Sequence, residues 1–507
     1  QQLFLARDRF GIKPLYYAQH QGRLIFGSEI KTILAQPNFP RRVNLAALEA
    51  MLTLGFVPGP ATMFEGVYKL PAAHFLLARA GNIEITRYWQ LDYRPAAPPL
   101  DEREAVAHFL TLLEEAISLR LMSEVPLGAL LSGGLDSGTL VALVQAGLHK
   151  QSYDHNVAAL IGGERNQLRT ISIGFEQPGY DEAPLASELA HFIGTDHHPI
   201  TLTATDFAEY PTVLHHLEEP QCSATALPIY KLYQACRRAG LTVVLTGEGA
   251  DELLGGYHWH RGDALVRPLL PLPSGVRHLL AGSPLPMSTA ARRVLRRGST
   301  DVCRRYREWL MIGGEHYRQD LLAPIRQAEN PLLHHWAESL TCLPDGAAPL
   351  HRMLWLESQT RMIDFINFEV DKMSMAHSIE ARVPFLDHKL WEFCAGLSPR
   401  LKLKGRTEKY LLRQATRTIL PQSTRTRPKK GLAAPYAVWL RADRLSDWAE
   451  AALSPGGLRR TGLFQPETVA ALRRAHQARQ PHLAPLLMGV LSSQLWYECF
   501  IDERELT

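Results

Sequence analysis

Two rhythms of apolar and polar positions divide the chain. Over residues 1–93 short apolar runs alternate with turn residues: LFLA, PLYYA, GRLIFGSE, then HFLLARAGNIEITRYW. Gly22 and the pair Gly81-Asn82 sit where hairpin turns would, so the stretch reads as mixed β with a helix near residues 45–54. Residues 94–103 are rich in proline and charge, which makes them a stiff linker that cannot continue a ladder. From residue 104 the spacing lengthens. Val106, Phe109, Leu113, Ile117 and Leu121 recur at helical intervals. LGALL then predicts a short buried strand, followed by a Gly/Ser loop and a helix over about residues 138–147. TISIGF (170–175), HPITL (198–202) and LTVVL (241–245) predict further strands, with helical patterns between them. Strand and helix in alternation imply crossovers, hence an α/β fold: a parallel sheet with helices on both faces. Residues 258–350 read as helices and loops.

Composition narrows this only a little. A chain of 507 residues is too long for one core and implies two or more domains. It is 46% hydrophobic and 21% charged, an ordinary globular balance. Lys plus Arg number 55 and Asp plus Glu 51, a net charge of +4. So small an excess over this length gives no argument for a nucleic-acid partner or an anionic membrane surface. No apolar run reaches membrane-spanning length, and QQLFLARDRF lacks the layout of a signal peptide. The six cysteines are scattered with no CxxC pair, as free thiols of a cytoplasmic protein would be.

The chemistry gathers where strands run into glycine. GALLSGGLDSGTL, residues 128–140, follows the LGALL strand with four glycines, two serines and an aspartate. Glycines let a backbone approach a ligand closely, and the free N–H groups of the helix that follows attract an anion. Ser132 and Ser137 can donate hydroxyl hydrogen bonds. Asp136 would repel a phosphate unless a cation lies between, which points to Mg²⁺. No Gly-Lys-Ser/Thr follows, so this is not a Walker loop. TGEGADE, residues 246–252, follows LTVVL in the same way. There Asp251 is a second candidate Mg²⁺ ligand, and Glu248 can hold a substrate ammonium or act in proton transfer. In open α/β sheets ligands bind beyond the carboxyl ends of strands, where both loops fall.

Taken together these motifs carry a resemblance. SGGLDS resembles the pyrophosphate loop of the N-type ATP pyrophosphatases (adenine nucleotide alpha hydrolase-like). TGEGADELLGGY, then SIEARVPFLDHKL at 378–390, then RTEKYLLR at 406–413 resemble glutamine-hydrolysing asparagine synthetase. ARDRFGIKPLYYA with GSEIK resembles the latter half of that family's glutaminase. The resemblance implies residues 1–93 as the C-terminal part of a type-2 glutamine amidotransferase domain, α+β and Ntn-hydrolase-like, and 104–507 as the asparagine synthetase domain.

The resemblance also implies roles. Leu131 and Ile173 would flank the adenine of ATP; Ser132, Gly133, Gly134, Asp136, Ser137, Thr246 and Gly247 would contact the nucleotide. Asp136 and Asp251 match the Mg²⁺–pyrophosphate carboxylates, Glu248 the acid needed to form the acyl-adenylate, and Lys409 the lysine at the phosphates. Lys372 is a further candidate phosphate contact. Asp364 is a candidate for the substrate amine. Arg382 and Asp387 either shape the pocket or form a buried ion pair. The activity implied is ATP-dependent conversion of aspartate, with ammonia or glutamine, to asparagine, AMP and pyrophosphate, with a homodimer compatible. The alternatives are an amidotransferase acting on another carboxylate and a non-catalytic remnant. The family's glutaminase uses an N-terminal cysteine, whereas residue 1 here is Gln and the first cysteine is Cys222. Glutamine hydrolysis by that mechanism is therefore not expected of this chain.

Two bland readings complete the expectations. His197-His198, His215-His216 and the pair His258/His260 lack partners at ligand spacing and read as loop or surface histidines. The arginine-rich run at 292–309 reads as a solvated helix face.

Overall fold

The computed structural model describes residues 2–79, 81–94, 99–322, 338, 343, 346–429, 431–442 and 445–503. Six strands lie in the first 93 residues: β1 (Gln2–Ala6), β2 (Tyr16–His20), β3 (Arg23–Gly27), β4 (Val67–Lys69), β5 (His74–Arg79) and β6 (Asn82–Arg87). They form two antiparallel sheets, ordered β1-β5-β6 and β3-β2-β4. His20 pairs with Arg23, which leaves a two-residue hairpin turn at Gln21-Gly22. Both residues have positive φ, 49° and 74°, as a primed turn matched to strand twist requires. The helix Leu45–Leu54 forms where the pattern places it, capped by Asn44, whose side chain accepts from Ala47 N.

The second half of the architecture is the predicted parallel sheet. Its strands are β7 (Leu127–Leu130), β8 (Arg169–Phe175), β9 (Asp196–Leu202), β10 (Val243–Leu245) and β11 (Glu380–Arg382). Their order is β11-β10-β7-β8-β9, and every pairing is parallel. β10 is buried at every position and β8 at all but its first, the pattern of strands covered on both faces. β11 has no counterpart in the apolar pattern, because three residues of EAR present no hydrophobic run. It forms because Val244 and Leu245 offer a free edge to Ala381 and Arg382.

Helices cover the sheet as their patterns dictate. Glu102–Leu121 starts at a capping box in which Asp101 and Glu104 satisfy each other's backbone N–H. The chain is thus already helical within the stretch read as a linker; residues 95–98 lie outside the described ones. The helix buries Ala105, Phe109, Leu113, Ala116, Ile117 and Leu121, whereas Val106 is only half-buried. Emptying Phe109 to Ala would cost about 3–5 kcal/mol. The helix Ala484–Phe500 is mostly apolar and buried around nearly its whole circumference, Ser492, Ser493, Gln494 and Glu498 included.

The arginine-rich run departs from expectation at Arg305. It forms two helices, Thr289–Arg297 and Val302–Leu310; Arg296, Arg297 and Arg304 stay exposed as expected, Arg292, Arg293 and Arg307 are half-buried, and Arg305 turns inward. Arg305, 3% exposed, pairs with buried Asp263 at 2.6 Å, and Arg297 with Glu308 at 2.7 Å. The solvated face is thus kept by Arg296, Arg297 and Arg304, and Arg305 is the exception, buried on a buried acid. His260 is 1% exposed, not a surface residue, and burial pushes its imidazole down to about 3.

Candidate active site at the switch point of the sheet

The strand order reverses at β7, which has β8 on one side and β10 on the other. The crevice beyond the carboxyl ends of β7 and β10 is where such a sheet accepts ligands. Both glycine-rich loops emerge there. Leu131 N still bonds to Ile171 O at 2.9 Å, and Thr246 N to Arg382 O at 3.0 Å, so the ladder holds each loop at its root.

The first loop is shaped by close approach. Gly133 has φ +70°, and a Cβ there would lie 2.8 Å from the backbone of Leu185 and Ala186. Only glycine fits. Ser137 Oγ accepts from Ser132 N at 3.1 Å and shares a hydrogen bond with Ser132 Oγ at 3.0 Å, closing the turn. The helix Leu135–His149 begins at Gly134 with no side-chain cap, so its first N–H groups remain open to an anion. Arg427 Nη1 donates to Gly133 O at 3.1 Å and brings a guanidinium to the loop.

Charges from four segments meet beside it. Lys409 Nζ lies 2.5 Å from Asp136 Oδ2 and 2.5 Å from Asp251 Oδ1. Lys429 Nζ lies 2.7 Å from Asp251 Oδ2 and 3.7 Å from Asp136 Oδ2. Lys409 is 3% exposed and sits at φ +51°, a conformation costly to a lysine, at the start of the helix Tyr410–Ala415. Such strain persists where the surroundings fix it. Burial would raise the Asp251 carboxyl, but Lys409 and Lys429 outweigh it and hold it below its ordinary value. Burial would also lower Lys429, yet Asp251 and Asp136 hold it above. A third of the Lys429 side chain is exposed, so solvent screens that pull. Asp136 Oδ1 is buried without a hydrogen-bond partner. A spare carboxylate oxygen beside a second carboxylate is the hard-oxygen donor set that Mg²⁺ takes, so these residues fit that ion.

Next to this cluster a cavity of about 300 Å³ opens along β7, β8 and β10. Leu131, Ser132, Asp136, Ser137, Ile173, Thr246, Gly247, Glu248 and Asp251 all line it, while Gly133 and Gly134 line the adjoining cleft with Lys409. Burial raises the Glu248 carboxyl, Lys429 opposes, and Asp251 and Asp136 add to the rise.

Four predicted site residues stand elsewhere. Lys372 pairs with buried Glu218, bonds Ser28 O at 3.3 Å, has its Nζ 5.0 Å from the centre of the Tyr16 ring and lines neither the cavity nor its cleft. Asp364 accepts from Gly59 N at 2.7 Å and lies 3.4 Å from Lys69, so its carboxylate faces the N-terminal strands. Arg382 holds Arg120 O at 2.8 Å and Glu380 at 2.8 Å; Asp387 caps Lys389 N at 2.9 Å and pairs with Arg120 at 3.0 Å. Both are structural, and each has its own partner.

The sequence reading missed Lys429, Arg427, Arg361, Glu369, Thr225 and Tyr257, all on the cavity or its cleft. RTRPKKG carried a signal for the first two, since a basic run ending in Pro and Gly shortly after RTEKYLLR can fold back on an anion site. Tyr257 closes the TGEGADELLGGY motif and caps the next helix, whereas Thr225, Arg361 and Glu369 come from helices and helix ends that no local motif marks.

Comparison with known proteins accords with this geometry. The family model for asparagine synthase matches residues 108–498, and that for a glutamine amidotransferase domain matches residues 1–89. The chain belongs to the asparagine synthase family. Among the family's curated members, asparagine synthetase 1 of Bacillus subtilis is 28% identical over 99% of this chain and 76% of its own length. A putative asparagine synthetase of Mycobacterium tuberculosis is 31% identical over 99% of this chain and 75% of its own. An amidase of Gibberella zeae is 27% identical over 87% and 68%. Family membership makes ATP-dependent amidation the broad chemistry of the chain and a ligase its class. Among the described residues no helix is long and apolar enough to cross a membrane.

Proposed function

We propose that the switch-point site activates aspartate with ATP and amidates it to asparagine, releasing AMP and pyrophosphate. The observation that carries the reading is the meeting of Asp136, Asp251, Lys409 and Lys429 beside an open helix start. The adenine lies against Leu131 and Ile173, and the phosphates lie on residues 132–137. Thr246 and Gly247 close the nucleotide from the second loop. Asp136 and Asp251 would hold Mg²⁺, which supplies charge neutralisation on the phosphates.

An acceptor carboxylate oxygen attacks the α-phosphorus as the bond to the bridging oxygen of pyrophosphate breaks. Negative charge grows on that leaving group, and Lys409 and Lys429 stand where they offset it. Ammonia, free or from glutamine, then attacks the acyl carbon, and AMP leaves with the carboxylate oxygen. Glu248, partly open to the cavity and with a raised carboxyl, takes a proton from the attacking nitrogen or steadies the acceptor.

A second reading keeps the reaction and changes the acceptor to another carboxylate; the amidase relative supports it. Purified chain given Mg·ATP, ammonium and aspartate tests the first reading. AMP, pyrophosphate and asparagine in equal amounts are expected. Acceptor-dependent pyrophosphate from other carboxylates but not from aspartate would transfer the case to the second.

A further inference from the structure

The cavity carries a second carboxylate on an element unrelated to the nucleotide loops. Glu369 stands on the helix Phe368–Met375 and lines the same space as Glu248. It is 3% exposed. Among the described residues its side-chain hydrogen bond comes from Thr225 Oγ1 at 2.7 Å. The cations nearby are already engaged. Arg361 donates to Glu357 at 2.8 Å and lies over the Tyr257 ring at 4.5 Å and the Phe365 ring at 5.3 Å. Lys409 and Lys429 are held by Asp136 and Asp251. A buried carboxylate hydrogen-bonded by a neutral hydroxyl, sharing its cavity with a second carboxylate, is a poor host for an anion and a good one for an ammonium. Burial raises the Glu369 carboxyl to about 8; the Thr225 hydrogen bond and the Arg361 guanidinium oppose the rise, and Glu248 adds to it. Asp364, the other acid offered for the substrate amine, is bonded to Gly59 N instead.

We propose that Glu369, with Glu248 in the same cavity, binds a positively charged amino group of the acceptor and so selects amino-bearing carboxylates over plain ones. The proposal rests on the amidation reading of this site and names the residue that reads the substrate.

The test compares aspartate with succinate, the same chain without the amine, in pyrophosphate release with Mg·ATP and ammonium. For the unaltered chain, kcat/KM should favour aspartate by about 100-fold or more, as sites built around a polar group reject analogues lacking it. Glu369→Gln should raise the KM for aspartate by about 10-fold or more, leave the KM for ATP within about twofold, and bring the aspartate-to-succinate ratio below about 5. Glu369→Asp should restore part of the ratio, which a merely structural role would not require. A Glu369→Gln chain that keeps the full ratio would overturn the proposal. Turnover of succinate as readily as aspartate by the unaltered chain would overturn it too, while sparing amidation. Pyrophosphate from no carboxylate at all would overturn the amidation reading and this proposal together.

Discussion

Two clusters of buried charge use the same side chains to opposite ends. At the switch point Asp136, Asp251 and Lys429 line a cavity and Lys409 its adjoining cleft, and Asp136 Oδ1 is left without a hydrogen-bond partner. Between the N-terminal strands and the parallel-sheet half, Lys69 lies 2.9 Å from Glu219 and 3.4 Å from Asp364, and Lys372 pairs with Glu218. None of these five lines the cavity. Asp364 further accepts from Gly59 N, and the Glu218 carboxylate from Ile30 N at 2.9 Å and Lys31 N at 2.8 Å, so backbone from one half saturates acids of the other. Glu219 Oε1 in the second cluster also lacks a hydrogen-bond partner, so what separates the two is the cavity: a charge cluster open to space is built for a ligand, and one tied by backbone across two parts is built to hold them together. The residue types alone do not distinguish them, and Lys372 was misread for that reason.

The sharpest way to break the contrast is to neutralise one acid in each cluster. Asp136→Asn should lower pyrophosphate formation by about 100-fold or more while thermal stability stays within a few degrees, because a ligand site loses function before it loses fold. Lys69→Met should do the reverse. It strands Glu219 and Asp364 without their cation, and removing one partner of a buried pair costs about 3–5 kcal/mol, read as a fall in the denaturant midpoint. The KM for ATP of the folded fraction should stay within about twofold. If Asp136→Asn unfolds the chain and Lys69→Met silences it without loss of stability, the two clusters have been assigned the wrong way round.

A smaller effect tests how tightly the open cluster is packed. A Cβ at Gly256 would overlap Asp251 Oδ1 and Lys409 Cε. Gly256→Ala should therefore displace the Lys409–Asp251 pair and cost about 10-fold in turnover, with circular dichroism unchanged.

The smallest is a pH effect on stability. Glu369 has an ordinary value of 4.5, raised by burial to about 8. Between those values the folded chain keeps a proton that the unfolded chain has released, so stability is full below pH 4.5 and declines as pH rises through about 8. Glu369→Gln should flatten the fall in melting temperature between pH 6 and pH 9. An unchanged slope would mean that the Glu369 carboxyl is already ionised in the folded chain.

Legibility in the sequence followed locality. β7, β8 and β10 were readable because covered strands are continuous apolar runs, β9 at the edge from the shorter run ITL, and the two loops because glycine and acid follow β7 and β10 directly. The helix Leu135–His149 and the residues around Asp136, Ser137 and Glu248 came from the same local signal. β11 was not readable, since its edge is supplied by β10 and not by its own residues. Arg361 and Glu369 reach the cavity from segments far along the chain, and nothing in their neighbours marks the face they present. Asp364 shows the converse: its π-helical segment, Met362–Asn367, turns that carboxylate towards Gly59 while Phe365 and Ile366 line the cavity.

The most direct test of the central claim follows one oxygen atom. Aspartate labelled with ¹⁸O in its side-chain carboxylate is turned over with Mg·ATP and ammonium, and the AMP is analysed by mass spectrometry. Attack of the carboxylate on the α-phosphorus predicts one ¹⁸O in each AMP and none in pyrophosphate. Unlabelled AMP, or ADP and phosphate in its place, would contradict the assignment of this cluster to adenylation.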